Sequence, residues 1–312
     1  MISIAGIELD VLERGQGKPI LYLHGGAGIG RDTPFIDLLA KSRRVIAPSH
    51  PGFGKSSLPD WLDSVDDIAH IYLELMDRLG LARTDLVGFS IGGWIAAEIA
   101  TKVPERIERL VLIGPVGVKT GTPDKLDVPD VFAMPREKLD ELRFHDPARH
   151  APELATMPDE ELHIVARNSE TLALLTWEPY MHNPKLKHRL HRVKVPTLFV
   201  RGASDGIVSA DYLARYAALV PQARVETIAQ AGHLPQVEQP AATAATVLQF
   251  LQGKQAAETS GASRGKRGTS AKMLIPICRR RTNTNRSASR CRAATTIRKR
   301  VPRSTIATST NG

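Results

Sequence analysis

The sequence predicts an α/β fold: a mostly parallel central sheet with helices on both faces and a helical cap inserted between its strands. Three observations carry that expectation. Short, continuously apolar runs alternate with segments of helical period, the runs end in glycine or proline turns, and the alternation lapses once, between about residues 117 and 192. Strands that are apolar at every position have both faces covered, as in parallel sheets joined by crossover helices.

Taken in order, Ile20-Leu21-Tyr22-Leu23 is the first clear strand, and it runs into His24 and a glycine cluster. Arg44 to Ala47 reads as the next, stopped by Pro48. Ser64 opens a helix as its N-cap, with Asp67 three residues on as a capping-box partner. The apolar stripe of that helix is Ile68, Ile71, Leu75 and Leu79, and Gly80 closes it. Thr84 to Phe89 reads as a strand and Ile91 to Thr101 as an apolar helix. Leu110 to Ile113, Thr197 to Val200 and Val225 to Ile228 read as further strands, with helices over Asp211 to Leu219 and Ala241 to Leu251. The stretch 117–192 is helical in flavour, contains no convincing strand, and places Pro135 and Pro158 where first-turn prolines fit. The expected organisation is therefore a core in two parts, 1–116 and 193–253, a helical cap at 117–192, and a tail at 254–312.

Charge and cysteine set the tail apart. The whole chain carries a formal net charge of +9, which suggests a polyanion partner until its distribution is read. Fifteen Lys or Arg and a single acid lie in 254–312, leaving 27 basic and 32 acidic residues in 1–253, a net −5. The body is mildly acidic, and a nucleic-acid surface is not expected on it. The tail has no Phe, Trp or Tyr to stack on a base, and its composition predicts disorder. Both cysteines, Cys278 and Cys291, lie there too, so no disulfide framework, thiol nucleophile or cysteine zinc site is available to the first 253 residues. The amino terminus lacks the basic start and apolar run of a secretory signal, and no run approaches the roughly 18 apolar residues of a membrane helix. The expectation is a cytoplasmic protein with a small-molecule partner and neither metal nor cofactor. Oligomeric state is not legible.

The chemistry sits at Gly88-Phe89-Ser90-Ile91-Gly92, a G-x-S-x-G placed where an apolar strand meets an apolar helix. Glycines on either side let the backbone turn sharply and push the serine beyond the sheet, as a nucleophile elbow requires. Four more segments accompany it in order: His24-Gly25-Gly26-Ala27-Gly28, Pro51-Gly52-Phe53-Gly54-Lys55-Ser56, Arg201-Gly202-Ala203-Ser204-Asp205 and Ala231-Gly232-His233. On these segments residues 1 to about 252 resemble the α/β-hydrolase superfamily, in its serine-nucleophile branch with a helical lid. One departure stands out: Ser49-His50 occupies the place before the Pro-Gly-x-Gly turn where the family commonly has an acid.

The resemblance implies a triad in chain order, with Ser90 as nucleophile, Asp205 as orienting acid and His233 as general base. Chemistry agrees, since a serine hydroxyl needs a base to take its proton. Asp205 follows a strand, at the edge where open α/β sheets keep their sites, and His233 can reach that edge past one helix and one strand. Asp211 is the runner-up acid, and its place at a helix start suggests a cap. The oxyanion donors would be the backbone N–H groups of Ile91 and Gly26, or Ala27 if the turn is shifted by one. The His24 side chain is expected to be structural.

Carboxylic-ester hydrolysis is the leading expectation. The chain also resembles meta-cleavage-product hydrolases, which cut a C–C bond, in its glycine turn and GFSIGG. Those enzymes often have an asparagine before the nucleophile and a tryptophan after the histidine, where Phe89 and Leu234 stand here. Enol-lactone hydrolysis is a third variant, and a non-catalytic binding protein of the same fold is the reading from another class. For substrate contacts the sequence offers Phe89, with Trp177, Phe132 and Met134 as an apolar wall and Arg143 or Arg167 for a carboxylate.

Overall fold

A computed structural model describes residues 1–253 of the chain. The expectations placed on 254–312 lie outside the described residues. The chain begins with β1 (Ile2–Ile4) and β2 (Ile7–Leu9), an antiparallel hairpin in which Ile4 faces Ile7. Its turn residues Ala5 and Gly6 have φ of 49° and 80°, the left-handed pair that matches strand twist in a two-residue turn.

A seven-stranded sheet follows, built from β3 (Val11–Arg14), β4 (Pro19–Leu23), β5 (Arg44–Pro48), β6 (Thr84–Phe89), β7 (Ile107–Ile113), β8 (Thr197–Gly202) and β9 (Ala223–Ile228). Their spatial order is β3-β5-β4-β6-β7-β8-β9, with β3 antiparallel to β5 and every other pair parallel. The mostly parallel sheet is the expected one. The structure adds the N-terminal hairpin, β3 and α1 (Thr33–Ala40) to the elements expected from the sequence.

Alternation along the strands assigns the two faces. Leu21, Leu23, Ile46, Leu86, Leu110, Leu112 and Phe199 point to one side, into a core shared with α2 (Val65–Arg78), α3 (Ile91–Lys102) and α7 (Ala210–Ala217). Ile20, Tyr22, Val45, Val87, Val111, Ile113, Leu198 and Val200 point to the other, where α1 and α9 (Pro240–Leu251) cover them. Each buried Leu or Ile contributes about 2–3 kcal/mol of burial free energy, which is why these strands read as unbroken apolar runs.

Helix starts follow the sequence with two adjustments. Ser64 caps α2 by accepting from the Asp67 amide at 3.2 Å, yet Asp67 returns its carboxylate to the Ser64 hydroxyl at 2.5 Å and not to the backbone. Pro135 and Pro158 each stand one residue before the first turn, at the caps of α4 (Arg136–Arg143) and α6 (Asp159–Thr176). Between β7 and β8 the described chain forms α4, α5 (Pro147–His150), α6 and short 3-10 turns, with no strand of the sheet. None of the described helices is long and apolar enough to cross a membrane.

Candidate active site

Ser90 follows the last residue of β6 and precedes the first of α3, with φ 54° and ψ −115°. A non-glycine residue held there stores about 1–3 kcal/mol of strain, sustained because both flanking elements are buried. The turn is tight enough to dictate composition. A Cβ on Gly92 would stand 2.1 Å from the Leu23 carbonyl oxygen, so only glycine lets α3 pass so close to the end of β4.

Three of the expected side chains meet at the carboxyl ends of β6, β8 and β9. The Ser90 hydroxyl lies 3.2 Å from His233 Nε2, and His233 Nδ1 lies 3.0 Å from Asp205 Oδ2. The other Asp205 oxygen accepts from the amides of Ile207 at 2.9 Å and Val208 at 2.8 Å, which fixes the carboxylate plane. Asp205 and His233 are both buried. Asp211, the runner-up acid, instead sits in the first turn of α7 and pairs with Arg215 on the surface.

The Gly25–Gly28 turn is closed by the Gly28 amide donating to the Gly25 carbonyl at 3.0 Å. Gly26, Ala27 and Ile91 line the same cavity as Ser90. His24 and His50 anchor this turn from below. The rings stack at 3.7 Å, the His50 amide donates to His24 Nε2 at 2.9 Å, and His50 Nε2–H donates to the His24 carbonyl at 2.8 Å. With Nε2 accepting, His24 carries its proton on Nδ1 and donates to the Gly25 carbonyl at 2.7 Å. His50 Nδ1 accepts from the Tyr72 hydroxyl. Burial pushes the His24 pKa down to about 4, and lowers that of His50 well below the ordinary range with help from His24. Both rings are neutral and structural, and His50 ties the two turns together at the place where the family commonly has an acid.

A second buried polar cluster lies just beyond. Asp32 accepts from the Tyr22 hydroxyl at 2.6 Å and from Gln236 Nε2 at 3.1 Å, joining the segment after the glycine turn to the one after His233. Burial raises the Asp32 pKa to about 6 against the pull of those hydrogen bonds.

Above Ser90 is a cavity of about 660 Å³. Phe89 lines it, and its ring packs against that of His233 at 5.1 Å. Much of the wall comes from α6: Ile164, Val165, Asn168, Ser169 and Leu172 present one face at helical spacing, a stripe visible in the sequence but not singled out there. The expected wall is corrected accordingly. Trp177 is 56% exposed and, with Phe132, packs outside the cavity (ring centroids 5.7 Å apart), and Met134 does not line it either. Arg167 is also diverted, donating to the carbonyls of Gly54 at 3.0 Å and Ser56 at 2.6 Å. Arg143 does line the cavity. Its neighbours are engaged: Arg31 donates to the His150 carbonyl at 2.5 Å, and Arg136 lies 3.4 Å from Asp140. The Arg143 guanidinium has no such partner among the described residues, and burial lowers its pKa, with Asp140 opposing.

Known proteins are similar to this chain in sequence and fold. A 2-hydroxymuconate semialdehyde hydrolase of a Pseudomonas species is 30% identical over 292 residues, covering 83% of this chain and 95% of its own length. A 2-hydroxy-6-oxononadienedioate/2-hydroxy-6-oxononatrienedioate hydrolase of Burkholderia vietnamiensis is 31% identical over 274 residues, covering 79% and 92%. The structure of a thermophilic esterase from Thermogutta terrifontis superposes with a TM-score of 0.65 at 25% identity, covering 79% of this chain and 94% of the esterase. The alpha/beta hydrolase family model matches residues 20–246, from the start of β4 into α9. With sheet order, serine elbow and family match all in agreement, the chain belongs to the alpha/beta hydrolase family.

Proposed function

We propose that the chain is a serine hydrolase that cleaves carboxylic esters through an acyl-enzyme. The observation that carries this reading is the unbroken relay from Ser90 through His233 to Asp205, at 3.2 and 3.0 Å. Ser90 Oγ attacks the ester carbonyl while His233 Nε2 takes its proton, and Asp205 holds Nδ1–H and stabilises the imidazolium. The carbonyl oxygen becomes an oxyanion held by the amides of Ile91 and Gly26, with Ala27 the alternative second donor. Collapse breaks the C–O bond, and the leaving alkoxide takes the proton from His233. A water molecule then attacks the acyl group, gives a proton to His233, and the acid departs as Ser90 recovers its hydrogen.

Substrate contacts follow from the cavity. Phe89 and Leu234 offer only apolar surface beside the nucleophile and base, and Leu172 of α6 lines the same cavity over Gly26. Arg143 is a cation on the cavity lining that would meet a negatively charged end of the substrate.

Hydrolysis of a C–C bond in a dienoic keto acid is the second reading, and the names of the relatives from Pseudomonas and Burkholderia favour it. Purified protein is assayed on short p-nitrophenyl esters and on a coloured dienoate, with Ser90→Ala as control. Ester turnover that falls at least about 10³-fold in Ser90→Ala supports the proposal. A Ser90→Ala variant that retains esterase activity refutes it. A dienoate kcat/KM more than tenfold above the best ester moves the assignment to C–C cleavage.

A further inference from the structure

The rim that carries Asp205 and His233 is completed by a stretch of chain from outside the sheet. At the end of α4, residues Leu142 to Asp146 lie against both loops. The Leu142 carbonyl accepts from the Gly206 amide at 3.0 Å, next to Asp205, and the Arg143 carbonyl accepts from the His233 amide at 2.6 Å. The His145 ring meets the Ser204 hydroxyl at 2.8 Å. Glu238, only 8% exposed, ties the two sides together. Its Oε1 accepts from the amides of His145 at 2.9 Å and Asp146 at 3.1 Å, and its Oε2 accepts from the Gly232 amide at 2.5 Å. The approach is close enough that a Cβ on Gly232 would stand 2.3 Å from the Arg143 carbonyl oxygen.

A carboxylate suits this spot for a simple reason. All three groups facing Glu238 are N–H donors, and only an acceptor on both sides can satisfy them. A glutamine would have to set its own N–H against one of them.

We infer that Glu238 is a positioning residue for His233, acting through the Gly232 peptide and the 142–146 segment to keep the imidazole in line with Ser90. This rests on the reading of Ser90 and His233 as nucleophile and base. The ring is thus oriented at Nδ1 by Asp205, while its backbone is seated by Arg143 and, through Gly232, by Glu238. Proton transfer is sensitive to such seating, since a misplacement of about 1 Å costs about a hundredfold in rate.

The test uses the full chain with Glu238→Gln, Glu238→Asp and Ser204→Ala, assayed on a p-nitrophenyl ester. Active sites are counted with a fluorophosphonate that labels the nucleophilic serine. The expected result is a Glu238→Gln protein that melts cooperatively, with kcat per labelled site down roughly ten- to a hundredfold and KM within about threefold. The labelling rate falls in parallel, and Glu238→Asp, which keeps both acceptor oxygens, recovers part of the loss. A merely structural Glu238 would lower the melting temperature yet leave kcat per site and labelling rate within twofold of wild type, and that outcome overturns the inference. Should Glu238→Gln fail to fold, Ser204→Ala decides: a threefold or greater loss of kcat per site supports the inference, and a smaller one overturns it. A wild-type protein that the probe does not label at Ser90 refutes the underlying serine-hydrolase reading instead.

Discussion

Lowering the pH from 7 to 5 protonates His24 in the unfolded chain, while the folded chain keeps the ring neutral. His24 titrates at about 4 when folded against 6.5 in an unfolded chain, so across this interval the unfolded state binds more protons. The stability His24 contributes is therefore present above its unfolded pKa and is lost as pH falls toward its folded one. Integrating the two titrations, about 2 kcal/mol of unfolding free energy disappears between pH 7 and pH 5 from this ring alone. His50 adds to the loss in the same direction, because its pKa is also depressed. The perturbation that isolates the effect is His24→Gln, whose side chain can still offer an acceptor to the His50 amide, as Nε2 does. Urea unfolding followed by tryptophan fluorescence at several pH values gives both stability curves. The wild-type curve should fall more steeply toward pH 5 than the variant's, with the gap changing by about 2 kcal/mol. Parallel curves would show that the stacked pair does not resist protonation, and the argument from burial would fail.

Asp32 has the opposite sign: with a folded pKa of about 6, its contribution declines as pH rises from about 4 to 6. Relative to Asp32→Asn, wild type should therefore gain about 2.4 kcal/mol on going from pH 7 to pH 4, and a constant difference in urea unfolding would count against the buried-carboxyl account. Asp205→Asn should lower kcat by about 10⁴ with KM little changed, since the amide cannot hold the required imidazole tautomer; steady-state kinetics on an ester decide, and a loss below tenfold would remove Asp205 from the relay. Arg143→Met should raise KM about tenfold or more for an ester bearing a free carboxylate, while a neutral ester of the same length changes less than threefold. Equal effects on the two esters would sink the assignment of Arg143 to substrate charge.

Much of this architecture could be read without coordinates because its determinants are local. Strands such as Leu110–Ile113 are apolar at every residue since both faces are covered, and the elbow glycines mark a turn that no other residue fits. β1 and β2 escaped because three residues hold too little of a pattern to display a period. The wall of the cavity was misplaced for a different reason. Trp177 and Phe132 are large and apolar, yet the face of α6 turned toward Ser90 is set by tertiary packing, and it presents Leu172 and Ile164 there. Glu238 was invisible for a third reason. Its three donors come from residues 145, 146 and 232, brought together only by the folded chain.

The same long-range stitching fixes the margins of the cavity. Along α6, Asn168 donates to the Ala27 carbonyl and accepts from the Gly54 amide, Thr171 donates to the Gly52 carbonyl, and Arg167 spans Gly54 and Ser56. At the far side, Leu142 to Asp146 are sewn to the histidine and aspartate loops. These bonds pin the roof of the cavity along two margins. Leu172 and Ile164 then set the room available above Ser90, and trimming either is expected to enlarge it with the seams left intact.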